Sequence, residues 1–135
     1  MGGVLVDSNV LLDILTTDPR WYRWSAATLA RLTGREKLVI NPIIFAEVSQ
    51  RFTRMGDADE ALPSKVLERE ETPYEAAFLA GKAHLAYRRS GGQKTSPLPD
   101  FFIGAHASIS GYRLLTRDVR RYRTYFPALT LIAPD

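Results

Sequence analysis

Four carboxylates, Asp7, Glu47, Asp100 and Asp118, stand in settings that point to chemistry. Val4-Leu5-Val6 runs straight into Asp7, and Arg113-Leu114-Leu115-Thr116 runs into Arg117-Asp118, so two β-like runs end at an acid. Glu47 lies inside the apolar run Ile43-Ile44-Phe45-Ala46-Glu47-Val48. Asp100 opens a helix whose next turns place Ile103, Gly104 and Ala107 on its own face. Charged side chains are seldom buried without a partner. Converging carboxylates repel one another strongly unless hard cations neutralise them. With no cysteine and only two histidines in the chain, an all-oxygen ligand set selects Mg²⁺ or Mn²⁺. Such ions activate water and stabilise the charge that builds up on a phosphodiester in hydrolysis. Taken singly, each acid has an ordinary explanation: Asp7 and Asp100 as helix N-caps, Asp118 as a turn residue, Glu47 as the partner of an arginine. Those explanations do not account for all four lying in apolar flanks.

Other chemistries find less support. His84 and His106 both fall in mid-helix and His106 lies off the Asp100 face, so a Ser/His/Asp triad is not indicated. No GxxxxGK[ST] or GxGxxG loop is present. A phosphatase using Asp7 as nucleophile is a further reading, but Asn9 stands where such enzymes usually present a second aspartate.

The 135 residues, 45% hydrophobic, suit one domain over 1–135 with a single core. The net charge of +3 is modest but unevenly spread. From Asp57 to Glu75 seven acids face two bases, whereas from Lys82 to Arg123 nine bases face two acids. The C-terminal half therefore favours an anionic partner, because Lys and Arg gain phosphate contacts by releasing counterions. Lys94, Arg117, Arg120 and Arg121 flank Asp100 and Asp118 and are candidate contacts to the phosphates of such a partner. Solvated helix faces are the plainer explanation of the same charges. The N-terminus lacks the pattern of a signal peptide, and no apolar run approaches a membrane span, so a soluble cytoplasmic protein is expected.

Strands alternating with helices must position these residues. The pattern predicts a strand over Val4–Val6, then a helix Val10–Leu15 capped by Ser8 or Asn9. Asp18-Pro19 supplies an N-cap and first-turn proline for a second helix that ends before Gly34, with Trp21, Ser25, Thr28 and Leu32 on one face. Leu38-Val39-Ile40 is a second strand, stopped by Asn41-Pro42, and Ile43 to Phe52 is a helix. Thr53 to Pro63 is polar and turn-rich. Thr72-Pro73-Tyr74-Glu75 reads as a capping box opening a helix to about Arg89, and Ser90 to Pro99 as a loop. A helix Asp100–Ser110, a strand Arg113–Thr116, a short basic helix Val119–Tyr125 and a strand Thr130–Ile132 complete the order. This alternation predicts an α/β fold with a mainly parallel sheet, whose ligands collect beyond the carboxyl ends of the strands, where Asp7 and Asp118 lie.

The pattern resembles the PIN-domain ribonucleases, in particular the VapC-type toxins of toxin–antitoxin pairs, over nearly the whole chain. Val4 to Leu12, with Asp7-Ser8-Asn9, is similar to the family's first motif; Ala46-Glu47-Val48 after Asn41-Pro42 to its second acid; Pro99-Asp100-Phe101-Phe102-Ile103-Gly104-Ala105-His106-Ala107 to its third; and Leu115-Thr116-Arg117-Asp118 before Tyr125-Phe126-Pro127 to its fourth. The resemblance implies a PIN-like three-layer α/β/α sandwich and a Mg²⁺- or Mn²⁺-dependent endoribonuclease. It implies Asp7, Glu47, Asp100 and Asp118 as catalytic metal ligands, with Ser8, Asn9 and Thr116 in support. It also implies a homodimer, a cognate antitoxin whose segment enters the acidic groove, and a structured RNA substrate such as tRNA or rRNA, or an mRNA. Arg20-Trp21-Tyr22-Arg23-Trp24 would then belong to an antitoxin or dimer surface, unless it is plain amphipathic packing. A PIN-like domain that binds RNA or protein without catalysis is the alternative from another class.

Overall fold

Val4, Leu5 and Val6 are all fully buried, as a strand covered on both faces requires, and they form the central strand β1 (Val4–Val6) of a parallel sheet. In the computed structural model, which describes residues 2–92 and 98–134, the elements that follow are α1 (Ser8–Leu15), α2 (Tyr22–Leu32), β2 (Leu38–Ile40), α3 (Pro42–Ser49), α4 (Met55–Ala61) and β3 (Glu68–Arg69). The chain continues through α5 (Tyr74–Arg89), α6 (Leu98–Ser110), β4 (Arg113–Leu115), α7 (Arg120–Tyr125) and β5 (Leu131–Ile132). The sheet order is β3-β2-β1-β4-β5, and every pairing is parallel. The expected three-layer α/β/α sandwich is present, with a wholly rather than mainly parallel sheet. From β1 the chain crosses to β2 on one side and later to β4 on the other, so the strand order reverses at β1. That reversal opens a crevice at the carboxyl ends of β1 and β4.

Several local expectations need correction. Helix α1 begins at Ser8, and Asp7, not Ser8 or Asn9, caps it: Asp7 Oδ1 accepts from the Ser8 N–H at 2.8 Å. Asp18 Oδ2 accepts from Arg20 N at 3.0 Å and Trp21 N at 2.7 Å, so it closes a turn before α2 rather than capping the helix itself. The capping box at Thr72 does not form. Helix α5 starts at Tyr74 with no side-chain cap, and Thr72 Oγ1 is buried with no hydrogen-bond partner among the described residues. Helix α4 falls in the polar, turn-rich stretch Thr53 to Pro63, and the two-residue edge strand β3 lies just beyond it, where no strand was expected. Helix α6 starts at Leu98, two residues inside the expected loop.

Two tertiary contacts hold the helices that carry the acids. Asn41 caps α3 by accepting from the Ile44 N–H at 2.9 Å, which leaves its amide NH₂ to face His106 Nδ1 on α6 at 3.0 Å. The imidazole must therefore accept at Nδ1 and carry its proton on Nε2, which points toward Glu70 at 3.6 Å. His106 is thus a core histidine that links α6 to α3. Gly104 fills the second role: a Cβ there would lie 2.7 Å from the Phe126 ring and 3.1 Å from Tyr122, so glycine lets α7 close onto α6.

A third contact joins the first helix to the loop after β4. Asp13, 2% exposed, receives Arg117 Nε at 2.7 Å and Nη2 at 2.9 Å, and Ser25 Oγ from α2 at 2.8 Å. The same guanidinium lies 5.5 Å from the Trp21 ring centre. Trp21 is accordingly half-buried packing at this joint. Arg117→Ala should leave Asp13 buried with only Ser25 as donor. Because the Arg117 side chain is 30% exposed, the loss should be about 2–3 kcal/mol, below that for a fully buried pair. Urea unfolding of the variant checks this, and an unchanged midpoint would contradict it.

Candidate active site

Asp7 continues the ladder one residue past β1, its N–H donating to the Leu115 carbonyl at 2.9 Å, so it stands beside Thr116 at the end of β4. The side chain is 3% exposed and is held from several directions. Thr116 Oγ1 donates to Asp7 Oδ2 at 2.8 Å, the Tyr122 hydroxyl donates to it at 3.0 Å, and Asn9 Nδ2 reaches it at 3.3 Å. With the Ser8 N–H on Oδ1, one carboxylate receives donors from α1 (Ser8 and Asn9), from Thr116 just past β4 and from Tyr122 on α7. Ser8 also turns its hydroxyl to Glu47 Oε1 on α3 at 2.6 Å, so one serine fixes two acids, its N–H on one and its Oγ on the other. Asn9 Nδ2 lies 3.2 Å from Thr116 Oγ1, and Asn9 Oδ1 accepts from the Arg117 N–H at 3.3 Å.

Glu47 and Asp100 are half-buried, and Asp100 Oδ2 accepts from Arg121 Nη1 at 2.7 Å. Asp118 is exposed at the rim, its N–H directed at Thr116 Oγ1 at 3.1 Å. Asp7, Glu47 and Asp100 each feel the charge of a neighbouring acid. Burial pushes the Asp7 carboxyl up to about 7, and the charges of Asp100 and Glu47 add to the rise against the lowering bonds from Thr116 and Tyr122. Burial, and then Asp100, raise Glu47; burial, and then Asp118, raise Asp100 despite its arginine. Tyr122 is itself held well above its ordinary value by burial and by Asp7, so it stays a hydrogen-bond donor.

These groups suit a hard divalent cation in kind: their donors are oxygens, and their mutual repulsion is what a cation would relieve. Among the described residues, however, no three acidic or imidazole side chains are gathered closely enough to form a ready cage. Asp7 is spent on protein donors and Asp100 Oδ2 on Arg121, so an ion at that oxygen would compete with the guanidinium. Of the four cations read as RNA contacts, Arg120 is exposed, Arg121 is half-buried on Asp100, and Arg117 is engaged by Asp13. Lys94 lies outside the described residues. Tyr122 and Asp13 were not legible as site residues: Tyr122 reads in sequence as one aromatic within a basic helix, and Asp13 as an acid on an amphipathic helix.

The raised Asp7 carboxyl has a measurable consequence. In the unfolded chain Asp7 loses its proton near 4, whereas in the folded, cation-free protein it keeps the proton to about 7. Between those values the folded state binds more protons, so this group's contribution to stability falls as pH rises, by at most about 4 kcal/mol. Asp7→Asn should remove that fall and leave the variant at least as stable as the parent at neutral pH. Thermal unfolding from pH 4 to 8 in EDTA checks it, and parallel profiles for the two proteins would refute it.

Three larger cavities, of about 280, 350 and 420 Å³, contain none of the four acids, whereas one of about 250 Å³ is lined by Asp118 and Arg121. Comparison with known folds agrees on where the family resemblance lies. VapBC2 from Rickettsia felis, solved with a promoter DNA fragment, matches at TM-score 0.72 and 18% identity, with 98% of each chain covered. VapBC-1 from nontypeable Haemophilus influenzae matches at 0.72 and 17%, with 96% of each chain covered. The sarcin-ricin loop cleaving toxin VapC20 of Mycobacterium tuberculosis matches at 0.64 and 13%, covering 90% of this chain and 94% of its own. Comparison with curated protein sequences gives no match. The sequence profile of the PIN domain matches residues 4–127. With the parallel sheet, the reversal at β1 and the acids gathered at its carboxyl edge, that match makes this chain a member of the PIN domain family.

Proposed function

We propose that the protein is a Mg²⁺- or Mn²⁺-dependent endoribonuclease, the toxin of a toxin–antitoxin pair, acting as a single PIN domain over residues 1–135. The observation that carries this reading is the buried Asp7, held by four donors and coupled by charge to Asp100 and Glu47. Asp7, Glu47, Asp100 and Asp118 would hold the ion, which supplies the Lewis acidity that phosphodiester hydrolysis needs. The protein's own part is orientation. Thr116, Tyr122 and Asn9 aim Asp7, and Ser8 aims Glu47. Arg121, released from Asp100, and the exposed Arg120 would hold RNA phosphates.

Pure protein should cleave RNA in Mg²⁺ or Mn²⁺ and stop in EDTA. Asp7→Asn, Glu47→Gln and Asp100→Asn should each lower cleavage at least about a hundredfold, and Tyr122→Phe about ten- to a hundredfold, as for groups that orient ligands. A folded protein that binds RNA equally well with and without Mg²⁺, and never cleaves it, would instead support a non-catalytic PIN-like RNA- or protein-binding domain. That second reading has its own observation, the absence of a ready cage among the described residues and the arginine on Asp100.

The solved relatives include toxin–antitoxin complexes, and we extend that pairing to this chain. An antitoxin segment would silence the site with a basic side chain, since a guanidinium already takes the place of a cation at Asp100 within the chain. Homodimer formation and a cytoplasmic location belong to the same reading. Among the described residues no helix is long and apolar enough to cross a membrane. Purification together with a neighbour encoded in the same operon should give an inactive complex that excess Mg²⁺ reactivates. Full ribonuclease activity in a stable complex would overturn the inhibitory arrangement.

A further inference from the structure

The cavity of about 250 Å³ beside the acids lies between the end of α5 and α7 and is lined by Tyr87, Asp118, Arg120, Arg121, Thr124 and Tyr125. Its aromatic wall is braced from behind. The fully buried Phe101 meets Tyr87 edge-on at 5.7 Å and Tyr125 at 5.2 Å, and the two tyrosines meet each other at 6.0 Å and 72°. Phe101 directly follows Asp100 on α6, so the wall is in fixed register with one of the acids. Arg121 connects the two regions: one nitrogen lies on Asp100 at 2.7 Å, and its guanidinium carbon lies 5.9 Å from the Tyr87 ring centre. Arg120 stands exposed at the mouth.

Half-buried aromatic rings beside guanidinium groups are the combination that holds unpaired nucleotides, the rings by stacking on a base and the cations by meeting the backbone. We propose that this cavity is a nucleobase subsite, stacking one unpaired base of the RNA against Tyr87 or Tyr125 while Arg120 and Arg121 hold the adjoining phosphates. The inference rests on the ribonuclease reading above. Because Asp118 and Arg121 belong to both cavity and acid cluster, the stacked nucleotide lies next to the bond to be cut. The bond must then sit in a single-stranded stretch or an opened loop, since a paired base cannot enter. Because Phe101 braces them, the two tyrosines need little ordering on binding.

The test uses a short fluorescent single-stranded RNA that the full-length protein cleaves in Mg²⁺, bound to the Asp7→Asn protein so that it stays intact. Removing one base, at the position beside the cleaved bond, should weaken binding between about fivefold and a hundredfold. Tyr125→Leu or Tyr87→Leu should weaken intact RNA similarly, yet leave the affinity for the abasic RNA nearly unchanged, and Tyr125→Phe should bind as the parent does. Should the leucine variants fail to fold, 2-aminopurine at the same position should be quenched on binding to the parent. Equal losses on intact and abasic RNA, or 2-aminopurine unquenched at every position, would overturn the subsite while wild-type cleavage leaves the ribonuclease reading standing. A wild-type protein that neither binds nor cleaves RNA would overturn both.

Discussion

A carboxylate buried to 3% exposure at the end of the central strand demands donors, and the arrangement around Asp7 is built from that demand. An unpaired buried charge would be strongly destabilising, so Ser8 and Asn9 from α1, Thr116 from the end of β4 and Tyr122 from α7 are drawn onto it. The donors do not fully compensate, because burial and two neighbouring acids keep its proton bound up to about pH 7. Asp7 is therefore both a structural node and a group held under electrostatic stress, the condition under which functional carboxylates are found.

The other acids hang from the same node. Glu47 depends on Ser8, whose N–H already serves Asp7, so α3 is registered to α1 through one residue. Helix α6, which carries Asp100, is registered to α3 through the Asn41–His106 contact and to α7 through the gap left by Gly104. Arg121 then brings a cation from α7 back onto Asp100. The result is a cluster whose members are ordered by second contacts rather than by contact with one another. Such a site can stay folded in spite of its own repulsion.

Two buried polar joints with no part in the acid cluster bear on its precision. The Asp13–Arg117–Ser25 joint clamps α1 and α2 to the loop that presents Thr116 and Asp118, and the Trp21 ring packs on the same guanidinium. On the other side of the chain's path, His106 sits between Asn41 and Glu70, and Glu70 in turn accepts from the Tyr112 hydroxyl and pairs with Lys37 at 2.9 Å. The first joint pins α1 to the loop of Asp118, and the second pins the cap of α3 to α6, so both hold elements that carry or adjoin the acids.

How much of this was legible in the sequence follows from the range of the forces involved. The strands Val4–Val6 and Leu38–Ile40, the order of the major helices and the four acids at their apolar boundaries are encoded by local composition, because burial on both faces of a parallel sheet leaves unbroken apolar runs. Short elements such as α4 and the exposed edge strand β3 left no periodic trace, since they are held by neighbours rather than by their own pattern. The capping box at Thr72 had the right letters and did not form, and Asp7 rather than Ser8 or Asn9 became the cap of α1. Only the tertiary structure assigned Arg117 to Asp13 and Arg121 to Asp100, and brought the Tyr122 hydroxyl to Asp7 across 115 residues of chain. Residue type and local spacing therefore marked the four acids as candidates and left Tyr122 unmarked. Which donor meets which acid was decided by long-range packing, because a buried charge takes its partner from whatever element the fold carries to it.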